Sequence, residues 1–283
     1  CGTVDYSFHT GTGIATPGAY QSSFGILVTA GIVMQFTRSG GRVWGTYYYG
    51  PMSSGVGFYH IAADAAGNIY VAGTTDATSG VASSGAFQPA FGGGGKDALL
   101  VKLDKTGTSR LWATYYGGAG TESKIGITTD ERDNVYLGGC TQSTSAIATP
   151  NGHQTAFGGG TDDGFIAIFR PNGSRNWATY YGGTGSDCNQ SLSASVCYTK
   201  GRILFGGETS STNAISTPLA HQSAYGGGGY DAFVAQFNAD TMVYVRQPFT
   251  DTAFCAGDTL HLKYDVTFPF RAGNIFTVQL SNS

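Results

Sequence analysis

Short segments that are apolar on both faces recur along the chain, separated by turn residues and glycines. One reads DALLVKL from Asp97 to Leu103 and another reads DAFVAQF from Asp231 to Phe237; both are rich in β-forming residues, lack Pro and carry one polar side chain near the end. A run of this kind is typical of a strand in a sheet that is covered on both sides. A turn such as DKTG follows, in which Gly adopts positive φ cheaply, and then a second strand such as LWATYY.

This strand–turn–strand segment is one half of a longer internal repeat. An aromatic residue leads each copy, at spacings of 67, 66 and 68 residues, in the positions Phe24, Phe91, Phe157 and Tyr225. The other half is a hairpin seen at 58–75, 125–141 and 192–209. Each unit therefore has four strands in chain order, with a long loop between the second and the third.

The repeat predicts an all-β fold, with about 3.5 units of 65–68 residues. Four-stranded antiparallel sheets that are apolar on both faces bury them by radial stacking, as blades of a β-propeller; a linear stack is the alternative. The predicted propeller spans 1–249, which divide into a partial blade and three blades: 1–50, 51–118, 119–183 and 184–249. Since the chain starts partway through a repeat, we expect it to belong to a longer array. Residues 250–283 have two alternating segments and are predicted to begin an immunoglobulin-like β-sandwich.

Composition excludes several classes of protein. Only 12% of the 283 residues are charged and the net charge is −3, so the chain has no basic surface typical of nucleic-acid binding. The 45 glycines show no collagen period. No apolar run is long enough to span a membrane, and no signal peptide is recognisable.

The five cysteines form no CxxC pair, which argues against zinc or thioredoxin chemistry. Cys188 and Cys197 lie too far apart in an extended segment to bridge, whereas the repeat topology favours Cys140 with Cys188. The register of the repeat accounts for Cys1, and a lipid-modified N-terminus is the alternative.

The combination of GNIYVAGTT, GAFQ, GGGGKDALLVKL and LWATYYGG resembles the SBBP family of bacterial β-propeller repeats, over about residues 1–249. The segments FCAGDTLHLKYDV and FRAGNIFTVQL are similar to sandwich modules of large Bacteroidetes surface proteins. The resemblance implies an extracellular or cell-surface protein, exported by type IX secretion, with roles in adhesion, gliding or scaffolding. It carries no catalytic residues to transfer.

Three sets of repeated positions have a structural interpretation. The tryptophans are expected to pack one blade against the next: Trp44, Trp112 and Trp177. A carboxylate before the third strand is expected to accept backbone N–H bonds at the loop-to-strand corner: Asp97, Asp163 and Asp231. An amide in the long loop is expected to hold that loop in place, with sugar binding as its alternative role: Gln21, Gln88, Gln154 and Gln222.

Two acids in the linkers between units, Glu122 and Asp187, are candidates for a calcium site. They are weak candidates because calcium takes about six to eight oxygen ligands and each linker supplies only one acid. His153 and His221 stand where other copies have an aromatic residue, which favours packing. No catalytic set can be nominated, and no other cofactor is predicted.

These patterns predict a non-enzymatic secreted or cell-surface scaffold that mediates binding or adhesion through the face formed by its long loops and linkers. Its expected partners are a protein or glycan at the cell surface, and secretion machinery is a further candidate. The alternatives are a glycan-active enzyme or lectin, and a purely structural part of a surface appendage or secreted complex.

Overall fold

The computed structural model describes residues 1–5, 13–23, 29–51, 55–188, 195–239, 243–245 and 264–266. All of the regular structure in these residues is β-strand. The strands are β1 Gly2–Asp5, β2 Thr29–Phe36, β3 Arg42–Tyr48, β4 Val56–Ala63, β5 Ile69–Thr75, β6 Asp97–Leu103, β7 Arg110–Tyr116, β8 Glu122–Thr129, β9 Val135–Thr141, β10 Asp163–Phe169, β11 Arg175–Tyr181, β12 Ser195–Thr199, β13 Arg202–Thr209, β14 Asp231–Asn238, β15 Val243–Val245 and β16 Tyr264–Val266. The all-β prediction is therefore confirmed.

The strands form antiparallel sheets whose strands follow one another in sequence. Sheet I contains β1 to β3, sheet II β4 to β7, sheet III β8 to β11, and sheet IV β12 to β14. Strands β15 and β16 pair separately. Sheets II and III each have the four strands expected of one repeat.

The alternation of side chains buries both faces of the inner sheets. In β6, Leu99 contributes to the core between sheets I and II, whereas its neighbour Leu100 contributes to the core between sheets II and III. Both residues are fully buried. In β10 of sheet III, Phe165 contributes to the core shared with sheet II, and its neighbour Ile166 contributes to the core shared with sheet IV. Successive sheets therefore stack face to face in chain order.

One polar residue, Lys102, is buried near the end of β6, and neighbouring side chains offset the cost of its burial. Lys102 Nζ lies 2.9 Å from Asp64 Oδ2 and 4.8 Å from the ring centre of Tyr70. The buried ammonium group thus has an ionic partner and an aromatic face, which offset its loss of water.

The backbones of neighbouring sheets do not approach one another evenly. Their closest approaches involve the first strands of the units, β4, β8 and β12, rather than the last strands β3, β7 and β11. The sheets therefore lie closer together on the side formed by these first strands.

Sheet IV differs from sheets II and III, because its described part ends at β14. The sequence places the fourth strand of this unit near Val245, but β15 pairs with β16, through Val243 with Val266 and Val245 with Tyr264. Of the two alternating segments predicted in 250–283, around 259–267 and 275–281, the second lies outside the described residues.

Among the residues described, no helix has the length and apolar character needed to cross a membrane.

Candidate functional site

The long loops and the linkers between sheets meet along one edge of the stack, which we call the loop edge. It comprises residues 76–96, 117–121, 142–162 and 182–188, with 210–230 in the last unit. The short turns, such as 104–109 and 170–174, lie at the other ends of the strands.

Gln88 fastens the long loop of sheet II to the strands beside it. Its backbone N–H donates to Thr114 Oγ1 over 2.9 Å, and its Oε1 accepts from the N–H of Gly117 over 3.1 Å. Its Nε2 donates to Asp97 Oδ2 over 3.1 Å. One amide side chain therefore links the loop to the third strand and to the end of the fourth.

The same arrangement recurs in the other units. Gln154 Nε2 donates to Asp163 Oδ2 over 3.2 Å and Gln222 Nε2 to Asp231 Oδ2 over 3.0 Å. In the first unit Ala30 replaces the acid, and Gln21 Nε2 donates to a backbone carbonyl at Tyr49 instead. Each of these glutamines therefore orders its own loop.

The acid that begins the third strand closes the loop-to-strand corner. Asp97 Oδ2 accepts the N–H of Gly92 over 2.6 Å, and Asp163 Oδ2 accepts that of Gly158 over the same distance. The other oxygen of each carboxyl, Oδ1, is buried and has no hydrogen-bond partner. A buried polar atom without a partner is costly, so each of these oxygens needs an explanation.

The junction between sheets II and III places a second acid beside Asp97. Glu122, which begins β8, is fully buried; its Oε1 accepts from Thr141 Oγ1 over 2.6 Å and from Ser143 Oγ over 2.7 Å, and its Oε2 has no partner. A Cβ added to Gly117 would lie within 2.7 Å of both Glu122 Oε2 and Asp97 Oδ1. The two unpartnered oxygens therefore border the same position, where only Gly fits.

The junction between sheets III and IV repeats this acid pair with Asp163 and Asp187. A Cβ on Gly182 would lie within 2.7 Å of Asp163 Oδ1 and Asp187 Oδ2. Asp187 accepts from the N–H of Gly183 over 2.6 Å and from Ser211 Oγ over 2.8 Å. Thr209 Oγ1 also donates to its carboxylate.

The pKa values of these acids reflect their burial. Loss of water raises the pKa of Asp97 to about 6, although hydrogen bonds from Gly92 and Gln88 oppose the rise. Burial raises the pKa of Glu122 to about 7, and the charge of Asp97 adds to that effect. Burial likewise raises the pKa of Asp163 to about 7, with contributions from Asp187 and Asp162. In the first pair, a single proton held between Asp97 and Glu122 would give both unpartnered oxygens a partner. In the second pair only Asp163 Oδ1 would gain one, because Asp187 Oδ2 already accepts from Gly183 and Ser211.

The two weak calcium candidates, Glu122 and Asp187, are thus members of the acid pairs. In the described part of the chain, no group of three or more His, Cys, Asp or Glu side chains is arranged to hold a metal ion. Only two unpartnered oxygens face each other at the first junction, well short of the six to eight or so that calcium takes. The side chains themselves fit a proton better than a cation.

A disulfide joins Cys140 at the end of β9 to Cys188, directly after Asp187, with a Cα–Cα distance of 5.7 Å. This is the pairing that the repeat topology favoured. It fixes the linker that leads into sheet IV against sheet III.

The tryptophans contact the next unit at the opposite edge. Trp44 Nε1 donates to the carbonyl of Lys105 over 3.2 Å, and Trp112 Nε1 donates to that of Pro171 over 2.9 Å. Trp177 donates within its own unit, to Asn151, while its ring lies edge-on to Phe237 of sheet IV. The rings of His153 and Phe237 also meet edge-on.

Sequence reasoning missed the hydroxyl groups that hold the linker acids, Thr141 with Ser143 and Thr209 with Ser211. A Thr-x-Ser pattern that begins on the last residue of the second strand in both units was the available signal. It was not recognised because these residues lie in what reads as an ordinary polar loop.

No protein-family model matches this chain, and no curated protein matches it. The resemblance to SBBP repeats therefore stays a prediction.

Proposed function

We propose that the chain is part of a β-propeller of the SBBP type, and that it serves as a secreted or cell-surface scaffold whose loop edge binds other molecules. The convergence of sheets along their first strands supports radial stacking, because blades of a propeller crowd at the axis and spread at the rim. The disulfide between Cys140 and Cys188 supports an oxidising location.

The observation that carries the binding role is the hydrogen-bonded order of the loop edge. The same amide-to-acid bond recurs at Gln88, Gln154 and Gln222, so the long loops are held in a common conformation. Exposed side chains vary within this common frame; the residue before the corner acid is Lys96 in one unit and Tyr230 in another. Variable side chains on a rigid frame are the usual basis of a recognition surface.

The acid pairs do not make this edge a glycosidase site. Both Asp97 and Glu122 are fully buried, so a sugar has no access to their carboxyl groups. We therefore propose a binding role for the edge, with the buried acids serving its structure.

The test is binding of the 283-residue chain to a glycan array, with and without calcium. Lys96→Ala and Tyr230→Ala are expected to weaken saturable binding, whereas Arg38→Ala, an exposed change in the turn between β2 and β3, is expected to leave it unchanged. Glycan binding that is weakened by Arg38→Ala and not by the two loop substitutions would contradict the proposal. The proposal would also fail if the chain bound no glycan and the loop variants bound surface proteins as tightly as the parent.

A further inference from the structure

In the described part of the chain, β14 pairs with β13 on one side only. In sheets I, II and III the third strand pairs with a fourth strand of seven residues, β3, β7 or β11. In sheet IV the corresponding edge has no strand among the described residues. A groove of about 770 Å³ lies there, bounded by β14 and by loop residues that include Thr217 and Gln222.

In the complete units, the long loop binds the fourth strand at two positions. The first is a Thr or Ser near the start of the loop: Ser83 N–H donates to the carbonyl of Ala113 over 2.8 Å, and Ser83 Oγ accepts the N–H of the same residue over 2.9 Å. Thr149 exchanges the same two bonds with Ala178. Thr217 occupies this place in the last unit.

The second position is the loop glutamine. The carbonyl of Gln154 accepts the N–H of Tyr180 over 3.0 Å, its N–H donates to Thr179 Oγ1 over 2.8 Å, and its Oε1 accepts the N–H of Gly182 over 3.0 Å. Gln88 makes the equivalent three bonds in sheet II. Each complete unit thus uses about five hydrogen bonds to seat its fourth strand on the loop.

Gln222 has the same local bonds but lacks those to a strand. Its Nε2 donates to the carbonyl of Ala224 and to Asp231 Oδ2, each over 3.0 Å, as in the other units. Within the described chain, its backbone groups and Oε1 have no partner. The loop therefore has the conformation that receives a strand, although none of the described strands occupies that side. Consistently, Gln222 is exposed and Asp231 is only half-buried, whereas Asp97 and Asp163 are fully buried.

The chain's own segment after β14 is a poor occupant. With Val245 at the place of Trp177, the residue at the place of Tyr180 is Pro248. Pro has no N–H to donate to the carbonyl of Gln222, and it is disfavoured in paired strands. In addition, β15 is already paired with β16. A second copy is no better, because its fourth strands β3, β7 and β11 are held in its own sheets.

We propose that β14 and the 216–225 loop form an acceptor site for an extended strand supplied by a partner chain. The partner segment has the pattern of this repeat's fourth strand: a small residue opposite Thr217, a hydroxyl-bearing residue beside Gln222, then an aromatic residue with a free N–H, and no Pro. Strand addition at a sheet edge uses main-chain hydrogen bonds for affinity and alternate side chains for specificity. This proposal does not depend on the binding role of the loop edge.

The test uses the whole chain and a labelled peptide with the sequence RNWATYYGG, which corresponds to residues 175–183. We expect saturable binding by fluorescence anisotropy, and slower hydrogen exchange of the β14 amides when the peptide is present. The same peptide with Pro at the place of Tyr180 should bind at least about fivefold more weakly, since it lacks one of the seating hydrogen bonds.

On the protein, Gln222→Ala should weaken peptide binding by about fivefold, whereas Gln142→Ala, an exposed change in another long loop, should not. Gln142→Ala should keep the unfolding midpoint of the parent chain, and Gln222→Ala should lower it only slightly, because the bonds it loses lie in an exposed loop. A large drop in the midpoint would indicate loss of fold and not loss of the binding site. Equal binding of the Pro-containing peptide, or unchanged binding by Gln222→Ala, would overturn the proposal. Full protection of the β14 amides without peptide would also overturn it, because residues of the chain itself would then fill the site.

Discussion

Replacement of Glu122 by Gln is expected to stabilise the protein above pH 7 and to reduce the dependence of its stability on pH. The amide keeps an oxygen that can accept from Thr141 and Ser143, and its NH₂ group can donate to Asp97 Oδ1. It therefore supplies at every pH the hydrogen bond that the parent protein can make only while the acid pair holds a proton.

The size and direction of the effect follow from the pKa of Glu122, which burial raises from 4.5 to about 7. Between these values the folded protein holds a proton that the unfolded chain has released, so stability falls as pH rises through this range. The contribution is fully present below about pH 4.5. Its loss by pH 8 amounts to about 3 kcal/mol for the pair, counted once because one proton is shared.

The three junctions should not respond alike. Asp163 and Asp187 form a second pair between sheets III and IV, and the pKa of Asp163 is also raised to about 7 by burial. Between sheets I and II, Ala30 stands where the acid would be. Glu122→Gln should therefore remove roughly half of the pH dependence that the acid pairs cause.

Urea unfolding followed by tryptophan fluorescence at pH 5 and pH 8 measures this difference. Glu131→Gln is the matched control, because Glu131 is exposed in the turn between β8 and β9. Two results would refute the reasoning: a parent protein that is at least as stable at pH 8 as at pH 5, or a Glu122→Gln variant whose pH profile equals that of the parent.

Three further predictions concern stability. Replacing Cys140 and Cys188 together by Ser should lower the free energy of unfolding by about 2–5 kcal/mol, because the disulfide closes a long loop, and adding reductant should then have no further effect on the urea midpoint. Gly117→Ala should cost about 1–3 kcal/mol in the same assay, since its Cβ would meet both facing carboxyl oxygens, while Gly229→Ala, with open space around it, should be close to neutral. Trp112→Phe should lose about 1 kcal/mol, the net value of its hydrogen bond to the turn of the next unit; a thermal unfolding midpoint equal to that of the parent would contradict this.

The strands and their order could be predicted because the repeat makes each unit a check on the others. Apolar residues on both faces of DALLVKL indicated a sheet buried on both sides, and Leu99 and Leu100 are buried in opposite cores. The last unit could not be completed in this way. Near Val245 the sequence no longer follows the repeat, so periodicity alone did not indicate which strand would pair with it.

The acid pairs were harder to predict than the strands. The repeat register identifies Asp97 and Glu122 separately, but one belongs to the third strand of a unit and the other to the first strand of the next. Nothing in their spacing indicates that their free oxygens meet at Gly117. Long-range proximity of this kind follows from how the sheets stack, and the register within one unit does not determine it.

The last unit also separates two causes that are combined in the others. In sheets II and III, the conformation of the long loop could be imposed by the fourth strand that lies against it. In sheet IV, Gln222 keeps its bonds to Ala224 and Asp231, and Gly226 still donates to Asp231, although no described strand occupies that side. The glutamine and the corner acid therefore hold the loop in this conformation where no described fourth strand lies against it.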